Sequence, residues 1–502
     1  MTPQTGCEKP TWHGAHRHRW FAATDTDLPL IATWSAIAGS TALLGGAYSV
    51  AAVTLVSMAT LILAFLTIVG SRPQRSRDEH AVFGVAIAVV VFAALVHTDS
   101  SPYASGSQLY LSHTITALLA ILVAGMFIFR VPVPRLVSYI LIALMFWAGV
   151  AMVLADPNPF IDVWYELQAA ANGLSHGQSM YTLHWFAPPG QDSNAFSYFP
   201  GCAVFLWPFY LVTHDVRYGE LVAFVLTALI LMRARGGRSG TMLGCLAVLY
   251  PAGLYGIGQA WIDPVVLFEI SAAAYACTRG HKRIAMLAFG AALVSKQYVW
   301  LLVPLAVVWE DFGWRRTAIT VGGAVTFLLP WYLVAPAGFV EGTLLYNLRY
   351  PARLTSLSLF TTAVLHHWHA YFAVTAVATV AAIGLALWRG AKDTKGFLVS
   401  SAFVMATFNL ANKQSFFNEW ELVAGLALAA IAFSGGNHKI EAPRPRFPGC
   451  SLRDRVRRRA LQAMQRAWSS LAQAGHSLQR SRVSRELSTT VPEVIDDQPT
   501  ST

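Results

Sequence analysis

Asp156-Pro-Asn-Pro-Phe-Ile-Asp162-Val-Trp-Tyr-Glu166-Leu-Gln-Ala-Ala-Ala-Asn-Gly173, running on through Tyr181 to Phe196-Ser-Tyr198-Phe-Pro200-Gly, separates two long apolar regions. The stretch carries carboxylates, aromatic rings and helix-breaking Pro and Gly, and no Lys or Arg occurs between 156 and 199. On either side, apolar runs of roughly 17 to 25 residues recur, each long enough to cross a ~30 Å hydrocarbon layer as a helix. The 502 residues are 55% hydrophobic and 12% charged, with a mean hydropathy of +0.48. Soluble proteins carry about 25% charged residues, so this chain cannot cover itself with polar surface. No barrel-length segment alternates with period two, which leaves helices as the spanning element. The expected fold is therefore all-α: a polytopic membrane protein of about 13 to 14 transmembrane helices with an outer layer of loops and juxtamembrane helices.

The charge pattern orients the expected spans. Arg72, Arg75 and Arg77 follow the second run, and Arg130 and Arg135 flank the turn after the fourth. The positive-inside bias places these turns in the cytoplasm and the region 156–199 outside. The net charge of +10 then reflects cytoplasmic Arg and a basic tail rather than a nucleic-acid surface. Four divisions follow: a cytoplasmic N-terminal tail at 1–27, accessory spans at 28–135, a membrane core at 136–434 and a basic cytoplasmic tail at 435–502. The N-terminal tail contains His13, His16 and His18 at spacings too loose for a metal site. In the C-terminal tail, Leu452, Val456, Ala460 and Ala463 recur at helical spacing among arginines, as in a basic amphipathic helix on an anionic leaflet or a solvated helix. The five cysteines stand singly, with no CxxC, which argues against a disulfide framework or a metal knuckle.

Three places depart from simple alternation. Counting both 200–213 and 220–232 as crossings would put Arg233, Arg235 and Arg238 outside, so the short, Pro-containing 200–213 run is expected to re-enter or lie at the interface. Residues 284–309 are too long for one span and are interrupted at Ser295-Lys296-Gln297, which predicts two short helices. A loop is expected over 337–356, followed by a surface helix at 356–368, whereas 240–257 reads as one continuous span.

The outer face then collects Asp156, Asp162, Glu166, Gln259, Asp263, Lys296, Gln297, Arg349, Arg353, Lys413, Gln414 and Glu419. Ionisable groups at membrane level are costly and mark a substrate path. Outward Lys296, Arg349, Arg353 and Lys413 run against the positive-inside bias, and a phosphate ligand would account for them; snorkelling to lipid headgroups is the alternative. Asp162 has no basic neighbour in sequence and suits a general base taking a proton from a hydroxyl. Glu166, one helical turn on, shares its face. Capping of the next helix is the competing reading, preferred for Asp156. Tyr181, His184 and Tyr198 complete the expected substrate-binding set; Trp164, Trp185 and Tyr198 could stack on sugar rings or simply sit at the interface. No metal-spaced carboxylate cluster accompanies His184 or the His366-His367 pair, so no metal is expected.

Taken in order, Asp162-x-Trp-x-x-x-x-Ala-Ala-x-x-Gly173, Tyr181, Tyr198-x-Pro200 opening an apolar helix, Gly258-Gln259 and Lys296-Gln297 resemble the GT-C superfamily of integral-membrane glycosyltransferases. Within it they resemble the family 87 type, the polyprenyl-phosphate-mannose-dependent alpha-mannosyltransferases. The resemblance covers about 136–434; the four leading spans and the single Pro200 depart from it. It implies transfer of a sugar, mannose in that family, from a polyprenyl-phosphate donor to a glycolipid or polysaccharide acceptor at the outer face of the plasma membrane. Asp162 would match the catalytic base. The lipid-linked sugar phosphate is a substrate, so no cofactor is expected. The expected partners are that donor, the acceptor and membrane lipids, with no nucleic acid. A lipid or lipid-linked sugar flippase remains the alternative, because broken helices such as 284–309 are typical of transporters; an acyltransferase or polymer ligase would share the topology.

Overall fold

The computed structural model describes residues 27–43, 46–69, 79–96, 103–131, 133–183, 195–368 and 371–434. The chain divides into two units, Met1–His438 and Lys439–Thr502, and every described residue belongs to the first. The expectations for 1–26, for His184 and Trp185, and for the basic tail fall outside the described residues.

Among the described residues the structure is all-helical, with no strand. In order the helices are α1 (Asp27–Ala42), α2 (Val50–Val69), α3 (Glu79–Leu95), α4 (Gly106–Ile128), α5 (Arg135–Ala155), α6 (Asp162–Ser175), α7 (Pro200–Thr213), α8 (Arg217–Arg235), α9 (Gly237–Val248) and α10 (Gly253–Gly258). They continue as α11 (Asp263–Thr278), α12 (Lys282–Ser295), a 3-10 turn (Gln297–Leu302), α13 (Val303–Val308), α14 (Trp314–Val334), α15 (Pro336–Val340), a π-turn (Glu341–Tyr346), α16 (Asn347–Arg349), α17 (Leu359–Leu365), α18 (Phe372–Arg389), α19 (Thr394–Ala411) and α20 (Phe417–Ala432).

Among the described residues, five helices, α2, α4, α5, α14 and α18, are long and apolar enough to cross a membrane. They leave large apolar side chains such as Leu61, Leu333, Val377 and Val380 about two-thirds exposed or more. Water would penalise that surface and lipid does not. The other expected crossings form helices that are shorter or interrupted, such as α1 and α20 at 16 residues and α9 at 12. Consecutive helices pair as hairpins, α1 with α2, α4 with α5, α8 with α9, α11 with α12 and α19 with α20. At the centre lies α20, buried along nearly its whole length and apolar on every side from Leu422 onward, as a helix enclosed by others must be.

Local chemistry explains the breaks. α7, helical over the expected 200–213, starts with Pro200 in its first turn and ends at His214 in the left-handed region (φ +59°). Its 14 residues reach only ~21 Å. The 284–309 segment divides as expected: α12 stops at Ser295 because Lys296 is extended (φ −145°, ψ 136°), and the 3-10 turn then leads into α13 with Pro304 in its first turn. Two expectations need correction. The 240–257 run is two helices, since Pro251 cannot donate to the ladder and disfavours helical geometry before it; Ala252 adopts φ +61°. The expected 337–356 loop is helical from Pro336 to Arg349.

Candidate functional site

The side chains singled out in the sequence converge on one end of the bundle, where α11 and α20 begin and α12 ends. A cavity of about 290 Å³ opens there, near the lower bound of the ~300–1,000 Å³ typical of ligand pockets. Its walls are the start of α6 (Asp162, Val163, Glu166), the approach to α7 (Ser197, Tyr198), Trp261, Lys296, the 346–355 segment and the 414–419 segment.

Asp162 stands in the first turn of α6, half-buried, and its Oδ1 accepts the Val163 backbone N–H at 2.9 Å. The positive end of a helix dipole favours negative charge at that position. Glu166 is buried one turn later; its carboxyl accepts the Ser197 backbone N–H and, at 3.2 Å, the Ser197 hydroxyl. Burial pushes it up to about 8 against the lowering effect of the Ser197 bonds, and the Asp162 charge adds to the rise. Glu166 is therefore neutral below that pH, and the two carboxyls on one helical face occupy unlike environments.

Across the cavity, Asp263 in the first turn of α11 accepts four bonds. Lys296 Nζ donates to both its oxygens (3.1 and 2.9 Å), Tyr298 donates its hydroxyl to Oδ1, and Asn418 Nδ2 donates to Oδ2 at 2.5 Å. The Lys296 ammonium also lies 4.7 Å from the centre of the Tyr298 ring. One buried carboxylate thus ties together α11, the break after α12 and the start of α20, and a buried charge tolerates such a place only when paired and hydrogen-bonded like this.

A second tie holds the cavity's mouth. Gln297 Nε2 donates to the carbonyls of Ser197 (2.7 Å) and Thr343 (3.1 Å), stitching the strand-like approach to α7 onto the π-turn. The two backbones meet so closely that a Cβ on Gly342 would lie 2.1 Å from the Phe196 carbonyl oxygen, and one on Gly338 equally close to that of Tyr181. Tyr181 donates its hydroxyl to the Tyr198 carbonyl at 2.8 Å and packs on Phe196 and Phe339. Burial pushes both the Tyr181 and Tyr198 phenols well up, which leaves them neutral donors.

Of the expected residues, Asp162, Glu166, Tyr198, Lys296, Arg353, Gln414 and Glu419 line the cavity, with Asp263 immediately behind Lys296. Tyr181 and Gln297 support the wall instead, and Gln259, buried at the end of α10, is not part of the lining. Two of the four expected cations are engaged elsewhere. Arg349 pairs with Glu341 at 2.9 Å on an exposed surface, and Lys413, its pKa lowered by desolvation, donates Nζ to the carbonyls of Leu348 (2.7 Å) and Tyr350. Arg353 is the arginine in the lining, with its guanidinium 4.7 Å over the Tyr350 ring. Asp156 closes α5 rather than capping α6, and its carbonyl accepts from the fully buried Arg217, which Asp215 pairs at 2.6 Å. Sequence reasoning missed Asn418, Tyr346, Asn347 and Tyr350 as cavity residues; the Asn418-Glu419 pair opening an apolar helix four residues after Lys413-Gln414 was the available signal.

The described chain is an all-helical protein with helices suited to a membrane and an acidic, aromatic-lined cavity at one end of its bundle. Comparison with protein-family models, with curated proteins and with solved structures finds no match to this chain.

Proposed function

We propose that the chain is an integral-membrane glycosyltransferase of GT-C type. In this reading it moves a sugar, mannose by the sequence resemblance, from a polyprenyl-phosphate donor to a glycolipid or polysaccharide hydroxyl at the outer face of the membrane. The observation that carries it is a single cavity with Asp162 at the start of α6 on one wall and the basic side chains of Lys296 and Arg353 on others. Asp162 takes the acceptor's proton as its oxygen attacks the anomeric carbon. The bond from that carbon to the phosphate oxygen breaks, and polyprenyl phosphate leaves with the electron pair. Arg353 and Lys296 offset the charge that develops on the leaving oxygen, the Lys296 ammonium being shared with Asp263. A single displacement inverts the anomeric centre.

Membranes carrying wild-type or Asp162→Asn protein, given radiolabelled polyprenyl-phosphate-mannose, test the assignment. Loss of a general base lowers the transfer rate by about 10²–10⁴-fold, and equal transfer by both proteins would remove Asp162 from the role. A second reading, transport of lipid or lipid-linked sugar, draws support from Glu220: this side chain of α8 is fully buried and neither carboxyl oxygen has a hydrogen-bond partner among the described residues, as in intramembrane groups along a translocation path. Movement of the labelled lipid across sealed vesicles without covalent transfer would favour it.

A further inference from the structure

Lys413 is not part of the cavity lining, yet the segment it holds contributes Tyr346, Asn347, Tyr350 and Arg353 to that lining. The helical run that starts at Pro336 ends at Arg349. The last carbonyls of a helix have no partner further along the ladder and need one from elsewhere. Lys413 supplies it: Nζ donates to the carbonyls of Leu348 (2.7 Å) and Tyr350. An ammonium has three donors and no acceptor, and the negative end of a helix favours a cation. The backbone carbonyl of Lys413 then accepts the Arg353 N–H at 3.2 Å, so one residue holds the chain on both sides of Pro351.

Little else of a general kind secures this stretch. From Pro351 to Arg353 the chain has no regular secondary structure, and Leu348 and Leu354 are 47% and 54% exposed, so apolar burial contributes little there. Polar ties carry the load instead. The tie at Tyr350 reaches the cavity through the tyrosine ring, which lies under the Arg353 guanidinium at 4.7 Å. Lys413 therefore touches Tyr350, and Tyr350 touches the arginine that faces the cavity.

We propose that Lys413 is a positioning residue for the transfer reaction: by clamping the chain at Leu348 and Tyr350 it sets Arg353 against the leaving phosphate, and it does not bind the phosphate itself. The proposal rests on the glycosyl-transfer reading above and adds the residue that orients one of its two cations. The ammonium acts on a backbone, and only through it on the substrate.

Transfer from polyprenyl-phosphate-mannose by wild type, Lys413→Met, Arg353→Ala and the double variant, together with amide hydrogen exchange, tests this. Methionine keeps an unbranched stem of similar length and removes the ammonium. Lys413→Met should lower kcat/KM about tenfold or more, as small displacements of a group facing the reacting centre do. Made in the Arg353→Ala background, the same change should cost less than about threefold, the non-additivity of residues that act through one another. Losses that multiply in full would mean that Lys413 meets the phosphate directly or only supports the fold, and they overturn the proposal, as does unchanged transfer by Lys413→Met. Lys413→Gln, which can reach one carbonyl at most, should fall between wild type and methionine and serves where the methionine variant does not assemble. Exchange reads the clamp without substrate. The Arg353 and Leu357 amides donate to the Lys413 and Ser415 carbonyls, so the peptide covering 350–357 should exchange slowly in wild type and faster in Lys413→Met. Fast exchange of that peptide in wild type overturns the clamp even where no variant assembles. If wild type transfers no sugar while exchange behaves as stated, the glycosyltransferase reading fails and the clamp stands.

Discussion

At the residue scale the informative contrast is between Asp162 and Glu166, one turn apart on α6. Glu166 is buried and gives up its proton only near pH 8, so at neutral pH it is an uncharged group whose oxygens accept the Ser197 N–H and hydroxyl. A glutamine is likewise uncharged and keeps an oxygen for the Ser197 N–H. Glu166→Gln should therefore keep the Ser197 segment in place and retain most activity, whereas Glu166→Ala leaves the Ser197 N–H unpaired at a cost of about 1–3 kcal/mol. The sign of the pH effect follows from linkage. The unfolded chain releases this proton near 4.5 and the folded protein near 8. The stability it contributes is complete below 4.5, declines as pH rises to about 8, and is flat above. Thermal unfolding of detergent-solubilised protein across that window should show the decline in the wild type and a shallower one in Glu166→Gln. Equal slopes would mean that Glu166 ionises freely in the folded state.

At the element scale, the helix boundaries that sequence reading reached are those with a local cause. The absence of Lys and Arg from 156 to 199, Pro200 opening α7 and the polar interruption at Lys296 are all visible within a few residues. Pairings across the chain are not. Lys296 reads as a cation awaiting a phosphate until Asp263, 33 positions earlier, is seen to hold it, and Lys413 reads the same way until the carbonyls of Leu348 and Tyr350 are brought to it. The helical character of 336–349 escaped for a related reason. Gly338 and Gly342 look like loop residues, yet they are there so that this segment can lie against the backbone of Tyr181 and Phe196. Gly342→Ala should force that contact apart, costing about 1–3 kcal/mol as overpacking does, and lower activity by displacing Tyr198. Gly322→Ala, on α14 with open space around it, is the control and should be neutral or slightly stabilising, since alanine favours a helix interior by about 1 kcal/mol. Equal melting temperatures for the two variants would show that the 341–346 segment is not pinned as described.

Over the whole molecule, charge is sorted along the bundle axis. α20 begins beside the cavity and ends at Ala432; two residues on, Arg235 Nη1 donates to the Ser434 hydroxyl (2.7 Å) and Nη2 to Asp27 (2.8 Å), and Lys395 also approaches Asp27 at 3.5 Å. That cluster joins the start of α1, the end of α8, the start of α19 and the end of α20. Arg238 reaches the Phe127 carbonyl at the end of α4, and the Lys392 carbonyl accepts from the Glu310 N–H just before α14. The 16 residues of α20 separate this basic end from the cavity by ~24 Å. The proposed function requires the orientation that the positive-inside bias favours, with this basic end in the cytoplasm and the cavity facing outward. Single cysteines introduced at two exposed positions, Gln178 in the turn after α6 and His281 between α11 and α12, distinguish the two orientations in a background with Cys7 and Cys450 replaced by serine, since Cys202, Cys245 and Cys277 are buried. A membrane-impermeant maleimide applied to intact cells should label Gln178→Cys and should reach His281→Cys only after permeabilisation. The opposite pattern would put Asp162 in the cytosol, where the proposed donor and acceptor are not presented.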